Sequence, residues 1–235
     1  MSQVKNLVDA IDTFIAGCKA DGIWDPIKAC CVMAAWDGLN GALIPLKGDA
    51  PTNFNFVSGD YDRKTGLKGD GSTKYLNSNR ANNADPQNDA HVSCYRIRSE
   101  AGNQALIASR EGGTVIGSRF LWLSGGTALF TCNPDADIHD SAGNDVLNIA
   151  TFQGVSRASS TSTTGRLGGQ SYSFTRNSAS PINNNLRIFC SAINATPELF
   201  SSARISFYSI GEAVDLAALD TRVSNLMTAI GAAIP

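Results

Sequence analysis

The sequence predicts a mainly β fold, an antiparallel β-sandwich with two N-terminal helices and one C-terminal helix. Three observations carry this expectation. From about Leu43 onward, short apolar runs are broken every few residues by Gly, Asn, Asp, Ser and Pro, the texture of short strands joined by tight turns. Several runs alternate, as in Arg204-Ile205-Ser206-Phe207-Tyr208-Ser209, where Ile205 and Phe207 point one way and Arg204, Ser206 and Tyr208 the other. The two ends of the chain switch to apolar residues at helical spacing. With 235 residues, 43% of them hydrophobic, the chain can bury one substantial core. The expected organisation is a helical segment over 1–42, the sandwich over 43–211 and a terminal helix over 212–235, in one compact domain.

Val4, Leu7, Val8, Ile11, Phe14 and Ile15 recur three and four residues apart, which predicts a helix from Gln3 to Lys19 stopped by Ala20-Asp21-Gly22. Asp25-Pro26 reads as a cap followed by a first-turn proline, so a second helix is expected over Pro26–Ala35, bracketed by Trp24 and Trp36 as packing residues. Strands are expected at Phe54–Val57, Tyr75–Leu76, His91–Arg98, Ala105–Arg110, Thr114–Trp122, Ala128–Cys132, Asn148–Val155, Ser171–Thr175, Leu186–Ala192 and Ala203–Ile210. Val92, Cys94 and Ile97 cannot share one face of a regular strand, so a bulge or twist is expected near Tyr95. The polar stretches Asn77–Asp89 and Ser156–Gly169 read as surface loops. Leu216, Leu219, Val223, Leu226 and Ile230 then follow alternating three- and four-residue spacing. This suits either packing within the subunit or the seam of a short coiled coil around a symmetry axis.

Charge and composition exclude several roles. The net charge is −2 and 17% of residues are charged, so no global basic field draws nucleic acid, which is not an expected partner. No apolar run approaches the roughly 20 residues of a membrane helix, and Asp9 and Asp12 interrupt the run a secretory signal would need. A soluble protein made in a reducing cytoplasm is expected. The six cysteines, Cys18, Cys30, Cys31, Cys94, Cys132 and Cys190, show no zinc spacing and read as reduced structural thiols.

Catalytic chemistry is sparse. The glutamates Glu100, Glu111, Glu198 and Glu212 are far apart rather than clustered as in jelly-roll glycosidases, and no GxSxG elbow, phosphate loop or dinucleotide fingerprint occurs. His91 and His139 read as lying in polar, turn-like surroundings. No enzyme activity and no cofactor are expected. The single metal candidate is Asp135, Asp137, Asp140 and Asp145, whose oxygens at alternate positions could suit Ca²⁺. Without the glycine and glutamate of a helix–loop–helix calcium site, these residues equally suit turns that cap local N–H groups.

Two stretches resemble a known family. The segment Phe56-Val57-Ser58-Gly59-Asp60-Tyr61, running through Gly66-Leu67-Lys68-Gly69-Asp70-Gly71-Ser72 to Leu76, is similar to the opening of concanavalin A-like, laminin-G-type jelly rolls of phage structural proteins. Ala203–Ala213, an alternating strand entering a glycine and then a helix, resembles their closing strand. Residues Gly17–Leu46 look like the lead-in of tail-fibre-like and virion proteins of marine and cyanobacterial tailed phages. The resemblance implies a virion structural protein exposed on the particle, as capsid decoration or as a tail-fibre or baseplate component, assembled in the host bacterial cytoplasm. It implies partners among other virion proteins and, with the Leu216–Ile230 spacing, a homotrimer. The alternative is a carbohydrate-binding module that adsorbs to host surface polysaccharide, with Tyr61, Tyr75 or Tyr172 on one exposed face. The metal and sugar motifs of legume lectins are not matched, so no binding residue carries over.

Overall fold

The computed structural model describes residues 3–99, 102–144 and 149–234. Helix α1 (Gln3–Ala20) buries Leu7, Ala10, Phe14 and Cys18 along one side. It stops where Gly22 enters the left-handed region at φ 72° and the Ile23 N–H reaches back to the Cys18 carbonyl at 2.9 Å. A single turn, α2 (Leu39–Ala42), is the second N-terminal helix. Helix α3 (Leu216–Ala233) opens on Asp215, whose carboxylate accepts from the N–H groups of Ala217 and Ala218 at 2.8 and 3.1 Å.

Two antiparallel sheets form the body. The first runs β13 (Gln170–Thr175), β12 (Ser162–Leu167), β11 (Thr151–Arg157), β6 (Ala90–Arg98), β17 (Arg204–Gly211), β4 (Gly66–Lys68) and β3 (Tyr61–Asp62), and β1 (Ile27–Val32) also pairs with β17. The second runs β10 (Asp140–Asn144), β9 (Thr127–Cys132), β8 (Thr114–Ser124), β7 (Gln104–Glu111), β14 (Asn185–Ile188), β5 (Tyr75–Ala81) and β2 (Thr52–Phe54). A small hairpin, β15 (Ser191–Ile193) and β16 (Thr196–Glu198), lies against β7. Inward residues such as Val92, Cys94, Leu121, Phe130, Ile188 and Ile205 fill the space between the sheets. The other face of the first sheet presents Phe152 and Phe207 to α1 and α3. The molecule is therefore three layers deep, helices on sheet on sheet.

Three expectations change. Pro26–Ala35 is not a helix: its centre is β1, with Ala29, Cys31 and Met33 in the inter-sheet core and Cys30, Val32 and Ala34 in the core under the helices. A strand buried on both faces reads as a continuous apolar run, and its period of two disappears from the sequence. Ser156–Gly169 is not one loop either, because it contains β12, where Thr163, Gly165 and Leu167 point inward. Gly165 supplies the room for Phe130 and Phe174, whose ring carbons would sit 3.1–3.3 Å from a Cβ there. Asn77–Asp89 begins as strand, and its Asn82 and Asp85 are buried. The irregularity near Tyr95 is present: Ile205 pairs with Arg96 and Phe207 with Tyr95, leaving Ser206 as the extra residue on β17.

The terminal-helix seam is closed within its own subunit. Leu216, Leu219, Val223, Leu226 and Ile230 are all buried against α1 and the first sheet, so they offer no apolar stripe to a trimer axis. This burial withdraws the support that the Leu216–Ile230 spacing gave to a homotrimer. The hydrophobic spacing was equally that of a helix packing on its own sheet.

At one end of the sandwich, two fully buried arginines join the sheets. Arg119 on β8 pairs with Asp85 at 2.8 Å and donates to the carbonyls of Asn82 at 2.9 Å, His91 at 2.9 Å and Gly211 at 3.2 Å. Arg157 on β11 donates to the carbonyls of Cys132 at 2.7 Å, Ser159 at 3.1 Å and Arg176 at 2.9 Å. All six cysteines are buried, and none is joined to another in a disulfide.

Two outcomes follow from this packing. Leu219→Asp combined with Leu226→Asp buries two carboxylates in a closed core, and should unfold the chain at a cost well above about 4 kcal/mol. Sedimentation of folded, dissociated subunits would place the seam between subunits after all. Denaturation without reductant should expose six thiols to an alkylating reagent, counted by mass, and fewer than six would reveal disulfide pairing.

Candidate functional site

The outward face of the second sheet carries an aromatic row at its β2 edge. Leu76 and Ile188 point into the core, so Tyr75 on β5 and Arg187 on β14 point outward. Phe54 lies directly opposite Tyr75 across the β2–β5 ladder, and the two rings stack with centroids 4.4 Å apart and planes within 4°. From the strand on the other side of β5, the Arg187 guanidinium lies 5.9 Å from the centre of the Tyr75 ring. Phe200 closes on Tyr75 edge-on at 6.3 Å. Phe54, on the edge strand, is 37% exposed, so the row ends in an accessible ring. Beside it, Thr52 and Asn79 hydrogen-bond each other at 3.0 Å, and the Asn79 amide also donates to the Ala50 carbonyl at 2.9 Å.

The segment from Leu199 to Ala203, which supplies Phe200, is held rigidly. The Gln104 Oε1 accepts from the Ser201 hydroxyl at 2.7 Å and from the Ser202 N–H at 3.2 Å. The Ser201 N–H donates to the Phe189 carbonyl at 2.8 Å, and its own carbonyl accepts from the Gly71 N–H at 3.2 Å. Gly69 is required for this approach, because a Cβ there would lie 2.0 Å from the Ser201 carbonyl oxygen. A flat aromatic edge with adjoining amides and hydroxyls on a rigid scaffold suits the apolar face and rim hydroxyls of a sugar ring.

The predicted aromatic trio does not share a face. Tyr75 belongs to the row above. Tyr61 sits on β3 at one edge of the first sheet and donates its hydroxyl to the Trp36 carbonyl. Tyr172 sits on β13 at the opposite edge, stacked near Phe174 and Phe130. Phe54 and Arg187 escaped sequence reading, since only strand pairing brings them beside Tyr75. The carboxylates of the metal candidate are committed elsewhere. Asp137 accepts from the Val115 N–H at 2.8 Å, Asp140 pairs with Arg176 at 2.7 Å, and Asp135 is exposed. Asp145 lies outside the described residues. Among the described residues, no group of three or more His, Cys, Asp or Glu is placed to hold a metal ion.

His91 is not in a turn; it lies inside β6 and is fully buried. Its Nδ1 faces the Glu212 carbonyl, which requires the proton there. Its Nε2 therefore accepts from the Ser209 hydroxyl at 2.9 Å, and Ser209 in turn meets Ser93 at 2.7 Å. A serine beside a histidine has the elements of a nucleophile and base, but here both are sealed from substrate. Burial pushes the imidazole of His91 down to about 4, against the favourable carbonyl bond, and burial does the same for His139.

No protein-family model matches this sequence, and no curated protein does. Solved structures do match in fold. The binding domain of botulinum neurotoxin serotype D superposes with a TM-score of 0.57 at 11% identity, over 86% of this chain and 51% of that one. The receptor binding domain of a botulinum neurotoxin C/D mosaic serotype gives 0.56 with the same identity and coverage. A mutant Trypanosoma rangeli sialidase displaying trans-sialidase activity gives 0.58 at 11% identity, over 97% of this chain and 38% of that one. The chain thus spans about half the length of the toxin domains it matches. At such identity the likeness is one of fold: a concanavalin A-like antiparallel β-sandwich.

The histidines give a pH signature. Their folded-state values lie below the unfolded value of 6.5, so the unfolded chain takes up protons first as pH falls. Stability should be fully present above about pH 6.5 and decline toward pH 4, by on the order of 3 kcal/mol for His91 alone. Denaturant melts across that window should show the decline, and His91→Gln should make it shallower, leaving the share due to His139. A wild-type profile without slope would mean that His91 takes up its proton in the folded state.

Proposed function

We propose that this chain is a non-catalytic, lectin-like binding module that adsorbs to host surface polysaccharide, displayed on the exterior of a phage particle. The observation that carries the binding role is the Phe54–Tyr75–Arg187 row, aromatic and cationic groups aligned on a rigid sheet edge and open to solvent at Phe54. The toxin domains of the same fold are, by name, binding and receptor-binding domains. The non-catalytic reading is supported by the dispersal of acids: Glu198 pairs with Arg110 at 3.0 Å and Glu212 with Lys28 at 2.9 Å.

Display on a particle is supported by the phage-like stretches at Gly17–Leu46 and Phe56–Leu76, and by the outer side of α1. There Val4 and Val8 are 64% and 52% exposed beside an apolar groove of about 330 Å³ that reaches Trp36, the kind of surface an assembly neighbour covers. Capsid decoration and a tail-fibre or baseplate position are both compatible with this.

On a glycan array the full chain should bind a subset of polysaccharides, and Phe54→Ala should weaken that binding about tenfold, the value of one sugar–aromatic contact, while leaving the melting temperature nearly unchanged. Incubation with the bound polysaccharide should release no shortened product. Binding that ignores Phe54, or cleavage of the glycan, would overturn the reading. Mass spectrometry of purified particles, with copy number, tests the display.

A further inference from the structure

The Leu199–Ala203 segment has a second neighbour besides Tyr75. Its Ser202 lines a pocket of about 220 Å³ whose other walls are Lys68, Arg98 and Arg204. The register explains why these three cations meet. Arg204 on β17 lies opposite Lys68 on β4 and opposite Arg98 on β6, so they occupy one rung across three adjacent strands. Ile205 and Leu67, the next residues on two of those strands, point into the inter-sheet core, which turns Arg204 and Lys68 outward.

Like charges directly opposite one another, with strands roughly 5 Å apart, work against a sheet. Among the described residues, none of the three makes an ion pair. Arg204 donates to the Gly66 carbonyl at 2.7 Å, which fixes its guanidinium but does not neutralise it. The nearby acids are engaged within their own turns. Asp62, which lies in the field of Arg204, accepts from the Lys64 and Thr65 N–H groups and the Thr65 hydroxyl. Asp70 accepts from the N–H groups of Ser72, Thr73 and Lys74. A chain of net charge −2 thus gathers in one pocket three cations that make no ion pair among the described residues, joined by Phe200–Ser202 to the aromatic row.

We propose that Lys68, Arg98 and Arg204, with Ser202, form an anion subsite that takes the carboxylate or sulfate ester of an acidic polysaccharide. The proposal rests on the glycan-binding reading and narrows its ligand to a charged polymer. The arginines supply planar donor pairs suited to either oxyanion, and Lys68 adds a point charge.

The test compares matched polymers: polygalacturonate with its neutral methyl ester, and dextran sulfate with dextran, titrated into the full chain at 0.15 M NaCl. Wild type should bind one charged polymer at least tenfold more tightly than its neutral partner, and the pair that shows the preference identifies the group. Lys68→Ala combined with Arg98→Ala should abolish the preference, leave the Phe54-dependent contact in place, and melt at or slightly above the wild-type temperature because repulsion is relieved. Equal binding of charged and neutral polymers by wild type overturns the subsite and leaves the glycan reading standing. Duplex DNA bound as tightly as either polyanion would assign the rung to phosphate backbones and overturn the glycan assignment. Inorganic sulfate provides an arm independent of any polymer, since it should raise the wild-type melting temperature and not that of the double variant. No polymer bound, but sulfate stabilisation retained, sinks the glycan reading alone; neither observed sinks both.

Discussion

Arg119 has no access to solvent, and much of the architecture is arranged around its guanidinium. It rises from β8 in one sheet and reaches main-chain carbonyls at the ends of β6 and β17 in the other, with Asp85 supplying the counter-charge. Burial pushes the Asp85 carboxyl up, and the bonds and charges of Arg80 and Arg119 more than reverse this, holding it below the usual carboxylate range. Loss of either partner would strand a buried charge, a defect typically worth about 3–5 kcal/mol. The spacing of the two sheets at this end is therefore set by a bonded network, with Arg157 repeating the device on β11. In the middle, apolar side chains such as Val92, Leu121, Phe130 and Ile188 fill the space between the sheets.

This division leaves the two ends of the sandwich with different characters. At the end where β6 begins and β17 finishes, cations are buried and every reach is satisfied by carbonyls or a carboxylate. At the opposite end, where β6 finishes and β17 begins, cations stand outward without acidic partners among the described residues, linked to the aromatic row through Phe200–Ser202. The same residue type closes the molecule at one end and leaves unspent charge at the other.

Much of the fold was legible because it repeats a local rule. The alternation in Arg204–Ser209, the helical spacing of Leu7 to Phe14 and of Leu216 to Ile230, and the mismatch of Val92, Cys94 and Ile97 all reflect a residue's own element. Where the sequence misled, the deciding partner was remote. Ile27–Val32 is a strand because β17, about 180 positions later, offers it a free edge, and Asp25-Pro26 is as good a turn as a helix start. Ser162–Leu167 reads as polar because Ser162, Thr164 and Arg166 lie on its outer side and Gly165 fits beneath Phe174, not because it is a loop. The candidate site was almost invisible: Tyr75 could be named, but Phe54, Arg187 and the Lys68–Arg204–Arg98 rung become neighbours only through cross-strand register.

The position of β17 bears on how the chain comes into being on the ribosome. It is hydrogen-bonded to β6, β4 and β1, so it is the keystone of the first sheet, yet it begins at Arg204 of 235 residues. At synthesis rates of about 5–20 residues per second, β1 waits on the order of 10–40 seconds for β17, the one strand it pairs with among the described residues. Through that interval one edge of β1 is met only at Cys30, by the bridge to Lys47, and the edge that β17 will take stays open. The second sheet has no such delay across β7 to β9, whose hairpins close as they emerge. Nascent chains should therefore carry the closed β7–β9 hairpins while both sheets await their late strands, β14 and β17, and in this window the cysteines of β1 are most accessible to oxidants and the chain most dependent on chaperones.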